Sequence, residues 1–297
     1  MHSSKSENPT TISSRSGLKE WILAARPKTW IASLSPVFIG ASLVPITSWP
    51  LLFATIAFAL CIQIGTNYSN DYYDGLRGVD AHRIGPERFV GSGAIEPSQM
   101  RFASHLLFAF AFGVSLPLVA NCGVWAFFFV FSSIAFGILY TGGPRPLGYM
   151  GLGELFVFLY FGPVAVLGTA YVQCHAISGA MLLASVSPAL LSCAILIANN
   201  LRDHETDRIA HKNTLVVRFG KTFGACEYAL SVSLALLLPL CIGCYSPLAL
   251  IVPALFLIRK AFTFQTTKEV VPLLPQTALL LILFTTFFCL ERWLGAA

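Results

Sequence analysis

All five aspartates of the chain fall into two short stretches. Asp71, Asp74 and Asp80 lie in NYSNDYYDGLRGVD (67–80), and Asp203 and Asp207 lie in NNLRDHETD (199–207). Spacings of three and four residues place each close pair on one face of a helix, if the backbone there is helical. Two such carboxylates 4 Å apart repel by about 4 kcal/mol at an effective dielectric constant of 20. Each cluster therefore needs cations, and a hard ion such as Mg²⁺ prefers carboxylate oxygens.

Basic side chains are interleaved with these acids. Arg77, Arg83 and Arg88 follow the first pair, and Arg202 and Lys212 flank the second. A pore for cations would not be lined in this way. Carboxylates that hold Mg²⁺, together with guanidinium groups that grip phosphate oxygens, indicate a site for a metal-bound diphosphate. The alternative for each basic residue alone is a surface salt bridge, which contributes little.

The rest of the chain predicts an all-α, polytopic membrane protein. Of 297 residues, 56% are hydrophobic and 11% charged, and the mean hydropathy is +0.71. A membrane-spanning helix needs about 20 apolar residues. On that length the chain divides into about nine spans with cytoplasmic loops above them, near 28–48, 50–67, 101–120, 123–140, 150–172, 178–199, 222–244, 246–263 and 274–295.

The positive charges predict the orientation of these spans. All but one of the 19 Lys and Arg residues fall on one side, and only Arg292 falls on the other. Because cytoplasmic loops carry the basic residues, we expect a cytoplasmic N-terminus and both aspartate stretches on the cytoplasmic side. This bias explains the net charge of +5 without a nucleic-acid partner. Four spans separate the two stretches, which predicts a parallel internal repeat whose motifs meet at one face.

The N-terminal region is polar. Residues 1–16 are rich in Ser and Thr and predict a disordered cytoplasmic tail, so residues 17–297 are expected to form a single intramembrane domain. Residues 17–30 mix apolar and basic side chains. This pattern is typical of an interfacial helix on the cytoplasmic leaflet, or of a simple basic anchor.

A diphosphate site above an apolar bundle suggests a lipid diphosphate whose chain runs between the helices. Metal and basic groups would stabilise charge on the departing diphosphate, and an apolar pocket would protect the allylic cation from water. Aromatic faces stabilise such cations. Candidates are Tyr68, Tyr72, Tyr73, Tyr140 and Phe161, although aromatic residues in membrane helices usually serve packing.

NDYYDGLRGVD and NNLRDHETD resemble the two Asp-rich motifs of the UbiA superfamily of intramembrane aromatic prenyltransferases. The resemblance implies nine helices and two Mg²⁺ ions that bridge to an isoprenyl diphosphate. It implies metal-binding roles for all five aspartates, with Asn70 and Asn200 beside the diphosphate. Asp80 departs from the 4-hydroxybenzoate branch, because it follows Asp74 by six residues where that branch has four.

The longer spacing is similar to that of the MenA-type branch, which prenylates 1,4-dihydroxy-2-naphthoate in menaquinone biosynthesis. ARPKTW (25–30), RIGPERFVGSG (83–93), YTGGPRPLGYMGLGE (140–154) and KNTLVVRFGK (212–221) also resemble that branch. The resemblance implies that Arg83, Arg88, Arg145 and Lys212 contact the diphosphate or shape its loop, and that the acceptor's carboxyl group is lost. It implies the cell (inner) membrane as the location. Tyr140, which opens the third of these stretches, is the aromatic candidate for a catalytic role. Glu154 is a further candidate, because an intramembrane carboxylate is usually functional; the alternative is that the helix dipole favours a Glu in the first turn of the fifth span.

Other functions fit parts of this pattern. The acceptor could be 1,4-dihydroxy-6-naphthoate or 4-hydroxybenzoate. A secondary transporter also has intramembrane ionisable residues and repeats, but its acids would lie near the midplane. A phosphotransferase for CDP-linked lipids uses aspartates and metal, but only Asp74 and Gly75 match the opening of its motif. Isoprenoid length and oligomeric state are left open.

Overall fold

The computed structural model describes residues 17–78 and 88–295, and every regular element within them is helical. The α-helices are α1 (Leu18–Ala24), α2 (Trp30–Ser42), α3 (Trp49–Leu76), α4 (Pro97–Cys122), α5 (Val124–Leu139), α6 (Gly153–Leu159), α7 (Ala165–Cys174), α8 (Gly179–Ile209), α9 (Leu215–Phe219), α10 (Lys221–Leu237), α11 (Ile251–Thr263), α12 (Thr267–Val270) and α13 (Leu273–Leu294). Short 3₁₀ helices cover Pro27–Thr29, Leu147–Tyr149, Leu238–Ile242 and Ser246–Leu250, and a π-helix joins α6 to α7 at Tyr160–Val164. The tail predicted for residues 1–16 lies outside the described residues.

Each of the nine predicted spans contains a helix, which confirms the all-α, multi-span prediction. Seven helical segments of the described chain are long and apolar enough to cross a membrane, namely Trp49–Leu76, Pro97–Cys122, Gly153–Cys174, Gly179–Ile209, Lys221–Ile242, Ser246–Thr263 and Thr267–Leu294. The other two are shorter, since α5 has 16 residues and α2 has 13. The first span, predicted over 28–48, is wrong in extent. Its helix ends at Ser42, and Pro45 disfavours helical backbone at the residue before it.

The helices that carry the aspartates extend beyond the length that a bilayer requires. α3 has 28 residues and α8 has 31, and both begin at a serine cap, Ser48 or Ser178, whose side chain accepts a backbone N–H. At the opposite end, the additional turns of α3 contain Asp71 and Asp74, and those of α8 contain Asp203 and Asp207. The spacing prediction is therefore confirmed, since each pair lies on a continuous helix.

Close packing fixes the segment α6–π–α7 against the central helix α8. A Cβ added at Gly162, within the π-helix, would lie 2.4 Å from the Cβ of Ala189. A Cβ at Gly40 of α2 would lie 2.4 Å from the carbonyl oxygen of Val166 on α7. Small residues allow such backbone approach in membrane bundles, where packing rather than water exclusion drives helix association.

Helix α1 is shorter than the interfacial helix predicted over 17–30. It ends where Arg26 adopts a left-handed conformation (φ 51°) before Pro27. Trp21 packs edge-on against Tyr68 of α3, and the Tyr68 hydroxyl donates to the Trp21 carbonyl at 3.1 Å. Leu18 and its neighbours Ile22 and Leu23 remain exposed. This apolar edge suits a helix that lies at a membrane surface.

Candidate active site

Asp71 holds the chain that follows the first aspartate motif. It is fully buried on α3, and its two oxygens accept hydrogen bonds from the backbone N–H groups of Phe89 (3.2 Å) and Val90 (2.9 Å). One turn later, a Cβ at Gly75 would lie 2.6 Å from Cγ1 of Val90. The Asp71 carboxylate binds this turn of the loop, and the absence of a side chain at Gly75 allows the same turn to pack against α3.

Asp74 contacts a cation and a phenol. It is 3% exposed; its Oδ2 accepts from Nη2 of Arg88 at 3.1 Å, and its Oδ1 accepts from the Tyr149 hydroxyl at 2.8 Å. Burial and the neighbouring Asp74 carboxylate raise the pKa of Tyr149, so its hydroxyl stays protonated and donates at neutral pH. Arg88 is itself buried, which makes this a desolvated ion pair.

Asp203 lies beside its own sequence neighbour. The Nε and Nη2 atoms of Arg202 donate to its two oxygens at 2.6 and 2.7 Å, and the same Nη2 donates to Oδ1 of Asn199 at 2.6 Å. Both partners of the pair are almost fully buried. The bidentate geometry fixes the carboxylate plane as a single charge–charge contact would not.

Asp207 pairs with a residue of the following loop. Its Oδ1 lies 3.5 Å from Nζ of Lys212, and its carbonyl oxygen accepts from the Lys212 backbone N–H at 2.8 Å. Lys212 is thereby placed directly after the end of α8.

Arg77 and Asn70 join α3 to the loop between α5 and α6. Arg77 donates to the carbonyl of Thr141 through Nη1 and to that of Gly143 through Nη2, the latter at 2.9 Å. The Thr141 hydroxyl donates to Oδ1 of Asn70 at 2.7 Å. Both predicted diphosphate ligands therefore contact this loop.

Asn200 contacts an acid. Its Nδ2 donates to Oε1 of Glu154 at 2.8 Å, and both side chains are buried. Tyr140 lies close to the residue before Glu154, since a Cβ at Gly153 would be 3.0 Å from the Tyr140 hydroxyl. An acid, an amide and a phenol thus meet where α6 begins.

The two motifs approach each other around Tyr149. Its hydroxyl contacts Asp74, its ring lies 5.7 Å from Nζ of Lys212, and its carbonyl accepts from the Asn213 N–H at 3.0 Å. The predicted meeting of both motifs at one end of the bundle agrees with these contacts. Arg145 is exposed, whereas Asp80 and Arg83 lie outside the described residues.

Comparison with known proteins identifies the family of the chain. The profile described as the UbiA prenyltransferase family matches residues 33–273, which is most of the chain. The chain belongs to the UbiA prenyltransferase family. This identification confirms the family suggested by the two aspartate motifs, and it argues against a transporter.

Several relatives resemble this prenyltransferase. A 1,4-dihydroxy-2-naphthoate octaprenyltransferase from Mycobacterium tuberculosis is 42% identical, over 68% of this chain and 70% of that protein. One from Haemophilus influenzae is 33% identical, over 94% of this chain and 97% of that protein. A solved structure of a UbiA homolog from Archaeoglobus fulgidus, bound to DMAPP and Mg²⁺, has a TM-score of 0.65 and 15% identity, covering 90% of this chain and 98% of that one. That likeness shows that the chain has the fold of this UbiA homolog. Its family and the seven long, apolar helical segments of the described chain make it a multi-pass membrane protein.

The carboxylates of this prenyltransferase fit a Mg²⁺ ion that other ligands help to coordinate. Within the described ranges, no three His, Cys, Asp or Glu side chains converge as a closed metal site. The four described aspartates instead offer buried oxygens from two helices. Mg²⁺ at phosphate sites takes one or two carboxylates and completes its shell with phosphate oxygens and water. The residues therefore fit an ion that is shared with a diphosphate.

Sequence reasoning missed three contributors. Tyr149 and Thr141 were not singled out within YTGGPRPLGYMGLGE, and Arg202 was noted only as a nearby charge. The adjacency of Arg202 and Asp203 was visible in the sequence, but their bidentate contact depends on side-chain conformation. Nothing in the local pattern distinguishes Tyr149 from the other eight tyrosines.

Proposed function

We propose that the chain transfers a polyprenyl group from an allylic polyprenyl diphosphate to 1,4-dihydroxy-2-naphthoate. Diphosphate and CO₂ would be released, and demethylmenaquinol would be the product. The observation that carries the proposal is the meeting of two buried, cation-paired aspartate motifs around Tyr149. The acceptor is supported by the naphthoate octaprenyltransferase from Haemophilus influenzae, which aligns along nearly the whole chain. On this proposal, residues 17–297 work as one domain.

The aspartates would hold the metal. Asp71, Asp74, Asp203 and Asp207 supply carboxylates from α3 and α8, and Asp80 would add one from outside the described residues. Bound Mg²⁺ would neutralise negative charge on the departing diphosphate. Because Asp71 also holds the Phe89–Val90 turn, it links the metal site to the loop that contains Arg88.

The basic residues would exchange partners when substrate binds. Arg88 and Lys212 now face Asp74 and Asp207. A buried charge is costly when its partner is removed, so each cation would turn to a phosphate oxygen as its aspartate turns to the metal. Arg77, Arg83, Arg145, Asn70 and Asn200 would complete the diphosphate contacts.

The ring chemistry can be balanced without an external base. The allylic C–O bond breaks, and its electron pair leaves with the diphosphate. The ring carbon that carries the acceptor's carboxylate bonds to the allylic carbon, and the bond to the carboxylate then breaks, so that CO₂ leaves and its bonding electron pair returns to the ring. Tyr140, beside Glu154, would present its aromatic face to the cation, and the apolar bundle would exclude water.

We place the reaction at the cytoplasmic face of the cell membrane. The basic residues of both motifs support this orientation through the positive-inside bias. The polyprenyl chain would then extend from the diphosphate site into the helical bundle.

The test is product formation by the purified protein in lipid nanodiscs. A polyprenyl diphosphate and 1,4-dihydroxy-2-naphthoate are incubated with Mg²⁺ or with EDTA, and the lipid extract is analysed by mass spectrometry. We expect a prenylated, decarboxylated product only with Mg²⁺, lost in Asp71→Ala and Asp207→Ala and kept in the exposed-carboxylate control Glu269→Ala. Product only from 1,4-dihydroxy-6-naphthoate or 4-hydroxybenzoate would overturn the acceptor. No product from any acceptor would overturn the proposed reaction.

A further inference from the structure

Tyr149 is the last residue of the 3₁₀ turn Leu147–Tyr149, between α5 and α6. We propose that Tyr149 is a positioning residue, which fixes Asp74 and Lys212 relative to each other and so joins the two motifs into one binding site for a metal-bound diphosphate. This inference rests on the diphosphate site of the proposed function. It adds a residue that neither aspartate motif contains.

The hydroxyl group fixes the first motif. It donates to Oδ1 of Asp74 at 2.8 Å, while Arg88 occupies Oδ2 at 3.1 Å. With both oxygens held from different directions, the carboxylate has one orientation. Removal of the hydroxyl would leave Arg88 alone to orient Asp74.

The ring lies close to two cations, one from the first aspartate motif and one from the loop that follows the second. The Cζ atom of Arg77, at the end of α3, is 5.1 Å from the ring centroid, and Nζ of Lys212 is 5.7 Å from it. Both distances are within the range of a cation–π contact. One aromatic ring thus attracts a guanidinium from the first motif and an ammonium from the loop that follows the second motif.

The backbone of Tyr149 fixes the second loop. Its carbonyl accepts from the Asn213 N–H at 3.0 Å, and Asn213 follows Lys212 directly. Its own N–H donates to the Pro146 carbonyl at 3.0 Å, which closes the turn. Side-chain substitutions leave these backbone contacts in place, so they test the hydroxyl and the ring alone.

Two substitutions separate the two side-chain roles. Tyr149→Phe keeps the ring and removes the hydroxyl, whereas Tyr149→Leu removes both. Tyr245→Phe and Tyr245→Leu are matched controls, because Tyr245 is an exposed tyrosine in the loop between α10 and α11. All four variants and the wild type are compared in nanodiscs.

The main readout is binding of geranyl thiodiphosphate, a substrate analogue that does not ionise, titrated by calorimetry at several Mg²⁺ concentrations. For Tyr149→Phe we expect the half-saturating Mg²⁺ concentration to rise by about threefold or more, because Asp74 loses a hydrogen bond. For Tyr149→Leu we expect the Kd of the analogue to rise by about tenfold as well, because Lys212 and Arg77 lose the ring. The Tyr245 controls should match the wild type.

The inference is overturned if both Tyr149 variants bind the analogue and Mg²⁺ as the wild type does. It is also overturned if only their melting temperature changes. Should Tyr149→Leu fail to fold, the Mg²⁺ dependence of Tyr149→Phe still decides the point. Binding needs no acceptor, so wild-type binding without any prenylated product would reject the proposed reaction and leave the role of Tyr149 intact.

Discussion

Asn200 donates a hydrogen bond to Glu154 at 2.8 Å, and the two residues lie on different helices, α8 and α6. The family resemblance assigns Asn200 to the diphosphate, yet its amide N–H holds a buried acid that the sequence left without a role. The contact ties the second aspartate motif to the start of the span that follows Tyr140. Glu154 therefore helps to hold the helix of the second motif against α6.

Because Asn200 and Glu154 share a hydrogen bond, we predict that the effects of substituting them are non-additive. Asn200→Ala leaves the Glu154 side chain buried without this donor, and a buried acceptor without a partner costs about 1–3 kcal/mol. Glu154→Ala removes the acceptor, and the double variant should lose little more than either single variant. The measurement is a double-mutant cycle, in which the melting temperature and kcat/KM of the three variants are compared with those of the wild type. Fully additive losses would mean that the two residues act separately.

We predict that a side chain at Gly75 would prevent the loop at Val90 from packing against α3. Gly75→Ala would bring a Cβ within 2.6 Å of Val90 Cγ1 and 3.1 Å of the Gly91 backbone nitrogen. The loop must shift, so Asp71 loses its backbone donors, and we expect the Kd for geranyl thiodiphosphate to rise at least about tenfold, the effect of 1.4 kcal/mol.

The matched control is Gly113→Ala on α4, where an added Cβ would meet nothing within 4 Å. That change should leave binding unaltered and stabilise the helix by at most about 1 kcal/mol. Equal binding by both alanine variants would show that the turn is not held against α3 as described.

The bidentate contact between Arg202 and Asp203 predicts that a lysine at position 202 would not support full activity. Arg202→Lys retains the charge but loses the bidentate contact and the bond to Asn199. Loss of a charged hydrogen bond of about 1.5 kcal/mol corresponds to a roughly tenfold decrease in kcat/KM. Arg208→Lys is the control, since Arg208 is exposed and pairs with the exposed Glu205 on the same helix. Full activity in Arg202→Lys would contradict a role for this geometry.

The fold could be predicted from the sequence as far as hydropathy and charge determine it. Apolar length located a helix in every predicted span, and three- and four-residue spacing anticipated the helical aspartate pairs on α3 and α8. The π-helix at Tyr160–Val164 was missed, because it depends on Pro163 within the helix and on the approach of Gly162 to α8. The early end of α2 was overlooked although Pro45 marks it.

Residue types indicated the chemistry of the site, but its pairings depend on the tertiary fold. The clusters identified carboxylates and basic groups, while the partner of Asp74 lies 75 residues away at Tyr149. Likewise, Asn200 and Glu154 are 46 residues apart, and no local pattern connects them. Composition therefore indicates which ligands the site can use, and helix packing decides which of them touch.

The most direct test of the proposed reaction follows the carboxyl group of the acceptor. 1,4-Dihydroxy-2-naphthoate labelled with ¹³C in the carboxyl group is incubated with the protein, Mg²⁺ and a polyprenyl diphosphate, and CO₂, diphosphate and lipid product are quantified together. We predict one labelled CO₂ and one diphosphate for each unlabelled, prenylated product, all abolished by EDTA. A prenylated product that retains the label, or diphosphate released without product, would contradict the proposal.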